Sequence, residues 1–514
     1  MNFEKTINSL AASVRYGFAT NSSSSHSILL TSDMAASTQG ADEAGRYGWE
    51  WFQLADAESK ADYLWTNVFG QLRGKMRRYD GFSKYSPDFL SRTQGVELPD
   101  IDAVKNTYAA NLTSALLGYE PSFKFDASDE PYIDHQSCFS LPINEDSLLP
   151  HKEFTDWFKQ LILTPGTIIY GGNDNDDSGV TGRAPGTDLL DQSRLGRDEH
   201  VRARLCRERD DHFLLFDKGT GWKARVPKTL GAEIPFSSYP ELIDIKITDH
   251  CTMGCKYCYQ GSTPQGKHAD FDSYHLGTLL KEMQVLEVAI GGGEPLTSPH
   301  LSSLLYTLND HGICANITTR RLDLLSPLYL KQLTQIGYSV DTVVAAAKAI
   351  KQAKDGGWVK KLTLHIVLGT MNKEDFLETL RLAQKSYVTV LLLGYKTDGF
   401  GHQFQPHPHE DWIDWIQAEF TENSTYWVGP HIGVDTAIAQ KYGRVLQDKL
   451  HVDPKFMVGA EGMFSMYMDL VEGTIARASY GEEKKTKITA ATKDRAAQIL
   501  KEFRAWHEKP ESNF

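Results

Sequence analysis

A chain of 514 residues with 41% hydrophobic and 24% charged residues has the make-up of a globular protein, long enough for two or three domains and a large core. Its formal net charge of −13 excludes a general attraction to a phosphate backbone, so no extended nucleic-acid surface is expected. Residues 1–8 hold no basic stretch leading into an apolar core, no apolar run approaches bilayer length, and six cysteines are too few for a disulfide framework; a cytoplasmic setting without a membrane partner is expected.

In chain order, the first unusual stretch is the serine run Ser22–Ser25 with Gly17, Phe18, Thr20 and Asn21 before it and His26 after it. Such a run reads as a turn whose hydroxyls satisfy their own backbone. Similar strings open otherwise dissimilar proteins, which makes the stretch a candidate recognition or modification site. Residues 40–160 read mostly helical: apolar residues recur at helical spacing across 58–72, Asp102–Leu117 and Lys152–Leu163. Thr167–Gly171 reads as a strand entering an acidic loop with Asp174, Asn175 and Asp176, which lacks calcium-loop spacing and reads as solvated. His212 to Pro227 reads as a hairpin turning at Lys218–Gly221. These segments predict an α+β accessory domain over 1–236.

From about residue 237 the texture changes to alternating strands and helices. Strands are predicted at Leu242–Thr248, Leu286–Ile290, Ile313–Thr318, Tyr338–Asp341, Leu362–Leu368 and Val388–Leu393, with helices at Asp272–Met283, Leu301–His311, Pro327–Gln335, Val343–Lys354 and Lys373–Lys385. Six β-then-α units in succession predict parallel strands with right-handed crossovers, as an open sheet or a partial barrel. This core is expected over 237–403. Residues 404–514 form a C-terminal extension that completes or caps it: a helix at Glu410–Asn423, a strand at His431–Asp435, a hairpin from Phe464–Leu470 to Ile475–Tyr480, and a surface helix at Ala490–Glu508.

Three of the six cysteines, Cys251, Cys255 and Cys258, occupy one short loop directly after the first of these strands. Three thiols so placed reach three irons of one cubane cluster and leave the fourth iron open. With His250 beside them, a closed zinc site of three cysteines and one histidine is the alternative. One βα unit later, Gly291, Gly292, Gly293, Glu294 and Pro295 end the second strand, where ligands bind on parallel sheets and glycines permit close backbone approach. Cys138, Cys206 and Cys314 stand apart and read as small core residues.

The C-x₃-C-x₂-C loop with Tyr257 before its last cysteine, the Gly-Gly-Glu-Pro motif and the six βα units together resemble the radical S-adenosylmethionine (radical SAM) enzymes. The resemblance implies a partial (β/α)₆ barrel. It implies a [4Fe–4S] cluster on Cys251, Cys255 and Cys258, and S-adenosylmethionine held at the open iron with its amino group against residues 291–295. It further implies an electron donor of the flavodoxin or ferredoxin type and a 5′-deoxyadenosyl radical that abstracts a substrate hydrogen. Carried over residue by residue, Ser339 and Asp341 face the cofactor's carboxylate or ribose, and Arg320, after Thr318 and Thr319, suits the carboxylate. The His365–Gly369 stretch resembles the strand lining adenine, and Leu393–Lys396 the sixth-strand edge; ordinary barrel filling is the plainer reading for His365. Ser465, Tyr467, Asp469 and Asp435 are placed to close the barrel mouth over a substrate, whereas His402, His407 and His409 read as a solvated loop. A peptide or protein side chain is the preferred substrate; a nucleotide or other small metabolite is the alternative, and from a different class a non-catalytic, zinc-bound or metal-free binding protein.

Overall fold

The computed structural model describes residues 13–15, 29–32, 37–39, 44–47, 52–77, 101–126, 131–133, 141–144, 149–171, 204–229, 231–420, 431–450, 452, 461–481 and 485–508. The serine run Ser22–Ser25 and the acidic loop at 174–176 lie outside them.

The N-terminal part begins with strands β1 (Ser13–Arg15), β2 (Leu29–Ser32), β3 (Arg46–Tyr47) and β4 (Phe52–Leu54), then helices α1 (Ala57–Arg77) and α2 (Ile101–Leu117). β5 (Tyr132–Ile133), α3 (Lys152–Leu163), β6 (Thr167–Gly171), β7 (Arg204–Glu208), β8 (His212–Asp217) and β9 (Lys223–Pro227) follow. Antiparallel order is β2-β6-β4 in one sheet and β1-β9-β8-β7 in another, while β3 and β5 form a parallel pair. The helices bury aromatic residues: Phe154 and Phe158 are buried on α3, and on α1 Trp65 stacks on Phe69 with centroids 5.3 Å apart. The β8–β9 turn falls at 218–221 as expected, because Asp217 Oδ1 accepts from Gly219 N at 2.7 Å and Gly221 takes φ +72°.

The core alternates strands and helices: β10 (Leu242–Lys246), α4 (Ser273–Glu282), β11 (Glu287–Gly291), α5 (Leu301–Asp310), β12 (Cys314–Thr319), α6 (Pro327–Gln332) and β13 (Gln335–Ser339). Then come α7 (Val343–Asp355), β14 (Leu362–Val367), α8 (Lys373–Ser386), β15 (Thr389–Leu393), α9 (Trp412–Phe420), β16 (Ile432–Val434) and α10 (Thr436–Leu450). β17 (Ser465–Asp469), β18 (Thr474–Ala476), β19 (Thr486–Lys487) and α11 (Arg495–Glu508) complete the described chain. The helices start where the sequence supplies caps: the side chains of Asp272, Ser326, Thr342 and Asn372 accept from the first-turn amides of α4, α6, α7 and α8, each contributing about 1 kcal/mol.

The sheet order is β16-β15-β14-β13-β12-β11-β10-β17-β18-β19, parallel from β16 through β17 and antiparallel only in the last two pairings. The order ends at β16 and β19 without closing, so the six expected βα units form a partial barrel. One further parallel strand extends each side: β16 next to β15, and β17 next to β10. The hairpin expected at 464–480 is present, but its first strand belongs to the barrel, in register with β10 (Asp244 opposite Tyr467, Lys246 opposite Asp469). The fourth strand starts earlier than predicted and ends at Ser339, which leaves Asp341 beyond it in the following bend.

Alternation sorts the side chains of β10: Ile243 and Ile245 are fully buried in the hydrophobic core under the helices, which puts Asp244 and Lys246 on the lumen side. The sheet of β7–β9 packs against the base of this barrel, with Leu205, Leu214 and Phe216 meeting Leu286 and Cys314. Four buried charges join the two parts there. Arg225 Nε and Nη2 donate to the two oxygens of Glu241 at 2.7 and 2.6 Å, and Lys223 Nζ lies 2.9 Å from Glu287 Oε1 and 3.4 Å from Glu241 Oε2. All four side chains are less than 5% exposed. Among the described residues no helix is long and apolar enough to cross a membrane.

Candidate active site

The cysteine loop leaves the C-terminal end of β10 and is held from two directions. Cys251 N donates to Thr263 O at 2.9 Å, and Phe400 N, from the turn after β15, donates to Cys258 O at 2.9 Å. All three thiols are free of disulfides and half-buried, and burial pushes the Cys251 thiol up. His250, the candidate fourth zinc ligand, turns Nδ1 to Thr297 Oγ1 at 3.2 Å and its ring towards His268. Among the described residues no group of three or more His, Cys, Asp or Glu gathers around a single ion position. Three soft, unbridged donors on one partly open loop do suit three irons of a cluster.

The glycine motif lies hard against the start of this loop. Gly293 N donates to Thr248 O at 2.7 Å and Glu294 N to His250 O at 2.8 Å. Gly292 has φ +116°, and a β-carbon there would stand 2.2 Å from Thr248 O; one at Gly293 would stand 2.2 Å from His250 O. Two motifs separated by more than thirty residues are therefore one packed unit, and glycine is the residue that lets their backbones meet. At Gly291 an added β-carbon would meet nothing closer than Asp244 Oδ1 at 3.9 Å.

Glu294 is 2% exposed and braces the neighbouring strand. Its Oε1 accepts from Thr319 Oγ1 at 2.7 Å and Leu296 N at 3.2 Å, and its Oε2 accepts from Arg320 N at 3.1 Å. Burial pushes this carboxyl up while the three donors oppose the shift. Pro295, buried, opens a single 3₁₀ turn behind it.

Arg320 is thereby presented to the cysteine loop. Its Nη1 donates to Cys255 Sγ at 3.1 Å and to Tyr257 Oη at 3.0 Å, and its Nη2 pairs with Asp341 Oδ1 at 2.8 Å. Tyr257 Oη donates to Asp341 Oδ2 at 3.1 Å. Burial raises the Tyr257 phenol further above its ordinary range, Arg320 opposing it. Burial would lower the Arg320 guanidinium, but Tyr257, Cys255 and Asp341 hold it above its ordinary value. Three residues named from the sequence, Arg320, Tyr257 and Asp341, thus gather beside the Cys255 thiol. Ser339 ends β13 opposite His365. The His365 ring covers Gly337, where a β-carbon would meet it at 2.2 Å, and burial lowers its pKa to about 4.

A second constellation occupies the lumen and the mouth. Burial pushes the Asp244 carboxyl up to about 6 and that of Glu461 to about 7, with Lys396 opposing both shifts. Lys396 Nζ lies 4.7 Å from the ring centroid of Tyr259 and 4.1 Å from that of Tyr480. Asp435 accepts from Gly394 N and caps α10 at Ile438 N. Tyr467 and Asp469 are buried on β17, where Asp469 pairs with Lys246 at 3.1 Å. Asp244 and Glu461 were not singled out from the sequence. A charge inside the apolar run Leu242–Ile247 was the available signal for Asp244; Glu461 carried none. His402 and His407 are exposed, as a solvated loop requires, whereas His409 is half-buried with its ring against Gly369.

Residues 245–390 match the model of the radical SAM superfamily. The chain is similar to the PqqA peptide cyclase of Ruegeria pomeroyi, 27% identical over 177 residues, which are 30% of this chain and 47% of that protein; it thus spans about half the length of that curated relative. In fold it is similar to SuiB of Streptococcus suis, solved with its precursor peptide SuiA, at a TM-score of 0.45 and 12% identity over 60% of this chain and 90% of that one. It is also similar to BtrN, solved with AdoMet and 2-DOIA, at a TM-score of 0.26 and 10% identity over 52% of this chain and 86% of that one.

Proposed function

We propose, from the premise that this chain is a member of the radical S-adenosylmethionine superfamily, that it is an enzyme acting on a peptide or protein side chain. Cys251, Cys255 and Cys258 hold a [4Fe–4S] cluster in this reading, and S-adenosylmethionine lies over residues 291–295 and the ends of β12 and β13. Bound there, these groups supply reductive cleavage of the sulfonium and a 5′-deoxyadenosyl radical that takes a substrate hydrogen. The observation that carries the reading is the packing of Gly292–Glu294 onto Thr248–His250, which ties the cysteine loop to the strand end where the cofactor would sit.

The chain's own residues have distinct tasks in this arrangement. Glu294 fixes Thr319 and the Arg320 backbone, so the Arg320 side chain is aimed before any ligand arrives. Arg320 places a fixed cation beside Cys255 and donates to its sulfur. Asp341 and Tyr257 hold that guanidinium in place, and its N–H groups are donors suited to a carboxylate. Phe404 packs against the Tyr257 ring and Tyr395 against Phe404, which lines this side of the site with aromatic rings. Peptide chemistry is supported by the similarity to a peptide cyclase. A flavodoxin- or ferredoxin-type donor, a cytoplasmic location and a division into units at 1–236, 237–403 and 404–514 belong to the same proposal.

The test is anaerobic reconstitution with iron and sulfide, followed by reduction in the presence of S-adenosylmethionine. About four irons per chain, a brown colour and slow release of 5′-deoxyadenosine are expected. A cluster-replete protein that never forms 5′-deoxyadenosine would defeat the reading. Deuterium carried into 5′-deoxyadenosine from a labelled peptide, and not from a labelled nucleotide, decides the substrate class.

A further inference from the structure

The thiols of the cysteine loop do not share one environment. Cys251 takes a hydrogen bond from the Met253 backbone, whereas Cys255 Sγ accepts from a cation, Arg320 Nη1, at 3.1 Å. That guanidinium is held on every side. Nη2 lies 2.8 Å from Asp341 Oδ1, and Nη1 also donates to Tyr257 Oη at 3.0 Å. Tyr257 Oη closes the circuit by donating to Asp341 Oδ2 at 3.1 Å, and Glu294 Oε2 holds the Arg320 amide from behind. Cation, phenol and carboxylate therefore form a ring that keeps one N–H on one sulfur. Arg321, the next residue, supplies a contrast: it spends the same charge on Asp323 in a pair that faces solvent. Affinity for a cofactor carboxylate accounts for an arginine at the end of β12. It does not account for a bond to sulfur, nor for a protein carboxylate already seated on the same guanidinium.

We propose that Arg320 sets the reduction potential of the cluster on this loop, raising it through the bond to Cys255 Sγ, and that Asp341 limits the rise by neutralising part of the guanidinium charge. The potential of an iron–sulfur cluster responds to hydrogen bonds on its sulfurs and to nearby charge. The reduced form carries one more electron, supplied by the external donor, so a cation and an N–H stabilise it and a carboxylate opposes it. Arg320 makes the electron easier to accept, and Asp341 keeps it energetic enough to pass on. The inference rests on the cluster assigned above and is independent of the substrate class.

Full-length protein, reconstituted anaerobically with iron and sulfide and kept free of S-adenosylmethionine, is poised at a series of potentials. The reduced fraction is read by electron paramagnetic resonance, with iron content and circular dichroism measured for each variant. Arg320→Leu should lower the midpoint by about 59 mV, a tenfold change in the reduced-to-oxidised ratio for one electron. Arg320→Lys, which keeps the charge without the fork, should recover part of the loss. Asp341→Asn should move the midpoint upward, because the guanidinium charge is then no longer neutralised. Arg321→Leu, which removes an equal charge one residue along, should change the ratio less than about twofold. Opposite signs at two residues that hold each other separate tuning from mere loosening of the loop, which would shift both the same way. Equal midpoints in wild type and Arg320→Leu, an equal fall in Arg321→Leu, or a fall in Asp341→Asn would each overturn the proposal and leave the cluster assignment standing. A wild-type chain that takes up no cluster would overturn both.

Discussion

The two ends of the barrel use the same kinds of charge to opposite effect. At the base, Glu241 is fully enclosed; burial alone would raise its carboxyl, but Arg225 and Lys223 pull it down to about 2. At the mouth, Asp244 and Glu461 are half-buried, and burial raises them to about 6 and 7 against Lys396 and, for Glu461, the Tyr480 hydroxyl. The difference is the supply of counter-charge. A carboxylate gripped bidentately by arginine serves to join one part of the fold to another, and one left short of partners is poised to take a ligand or a proton.

The sharpest way to break the comparison is at the mouth. Cys255→Ala should abolish cluster colour and 5′-deoxyadenosine formation in a chain that still folds, as judged by circular dichroism. Retained iron content at wild-type level would show that the loop does not act as one ligand set. At the base the cost should appear as stability. Glu241→Ala strands Arg225 and Lys223 in the interior and should destabilise the fold by about 3–5 kcal/mol in urea unfolding, with m unchanged. A loss below 1 kcal/mol would mean that the buried charges find other partners.

Next comes pH dependence, where the two ends should differ in sign. Glu241 titrates lower in the fold than in the unfolded chain, so its contribution of about 3 kcal/mol is present above pH 4.5 and is lost as pH falls towards 2. Asp244 titrates higher in the fold, so the contribution of its protonated form is present below pH 3.8 and is lost as pH rises through 6. Asp244→Asn should therefore be more stable than wild type at pH 8, by at most about 3 kcal/mol, with the gain vanishing near pH 4; no gain at pH 8 would contradict the unpaired state of Asp244. The smallest effect expected is at the seam between the motifs. Gly292→Ala forces a β-carbon against Thr248 O and should cost about 1–3 kcal/mol, together with slower iron uptake; an unchanged melting curve and uptake rate would show that the seam is slack.

The βα core was legible because strands buried on both faces read as apolar runs and the intervening helices carry side-chain caps such as Asp272 and Asn372. The fourth strand was misplaced for a local reason: Gln335 and Gly337 break its apolar run, and Gly337 is there because the His365 ring lies on it. The partnership of β17 with β10 left no local trace, since residues far apart in sequence share it. The cysteines and the glycine motif were readable from spacing alone. What spacing did not disclose was that Glu294 spends its carboxylate on Thr319 and Arg320 N, that Asp341 lies past its strand to meet Arg320, or that Asp244 faces the lumen. Those facts depend on which side of a strand a residue falls and on what stands across from it.

The strand that carries the cysteine loop has its outer neighbour, β17, more than two hundred residues further along the chain. During synthesis β10 therefore emerges with one flank exposed and waits tens of seconds for it at ordinary translation rates, on the order of 5–20 residues per second. Assembly of the barrel is consequently non-local and slow. Release of the chain short of β17 would leave a bare strand edge at β10, the strand that leads into the cysteine loop.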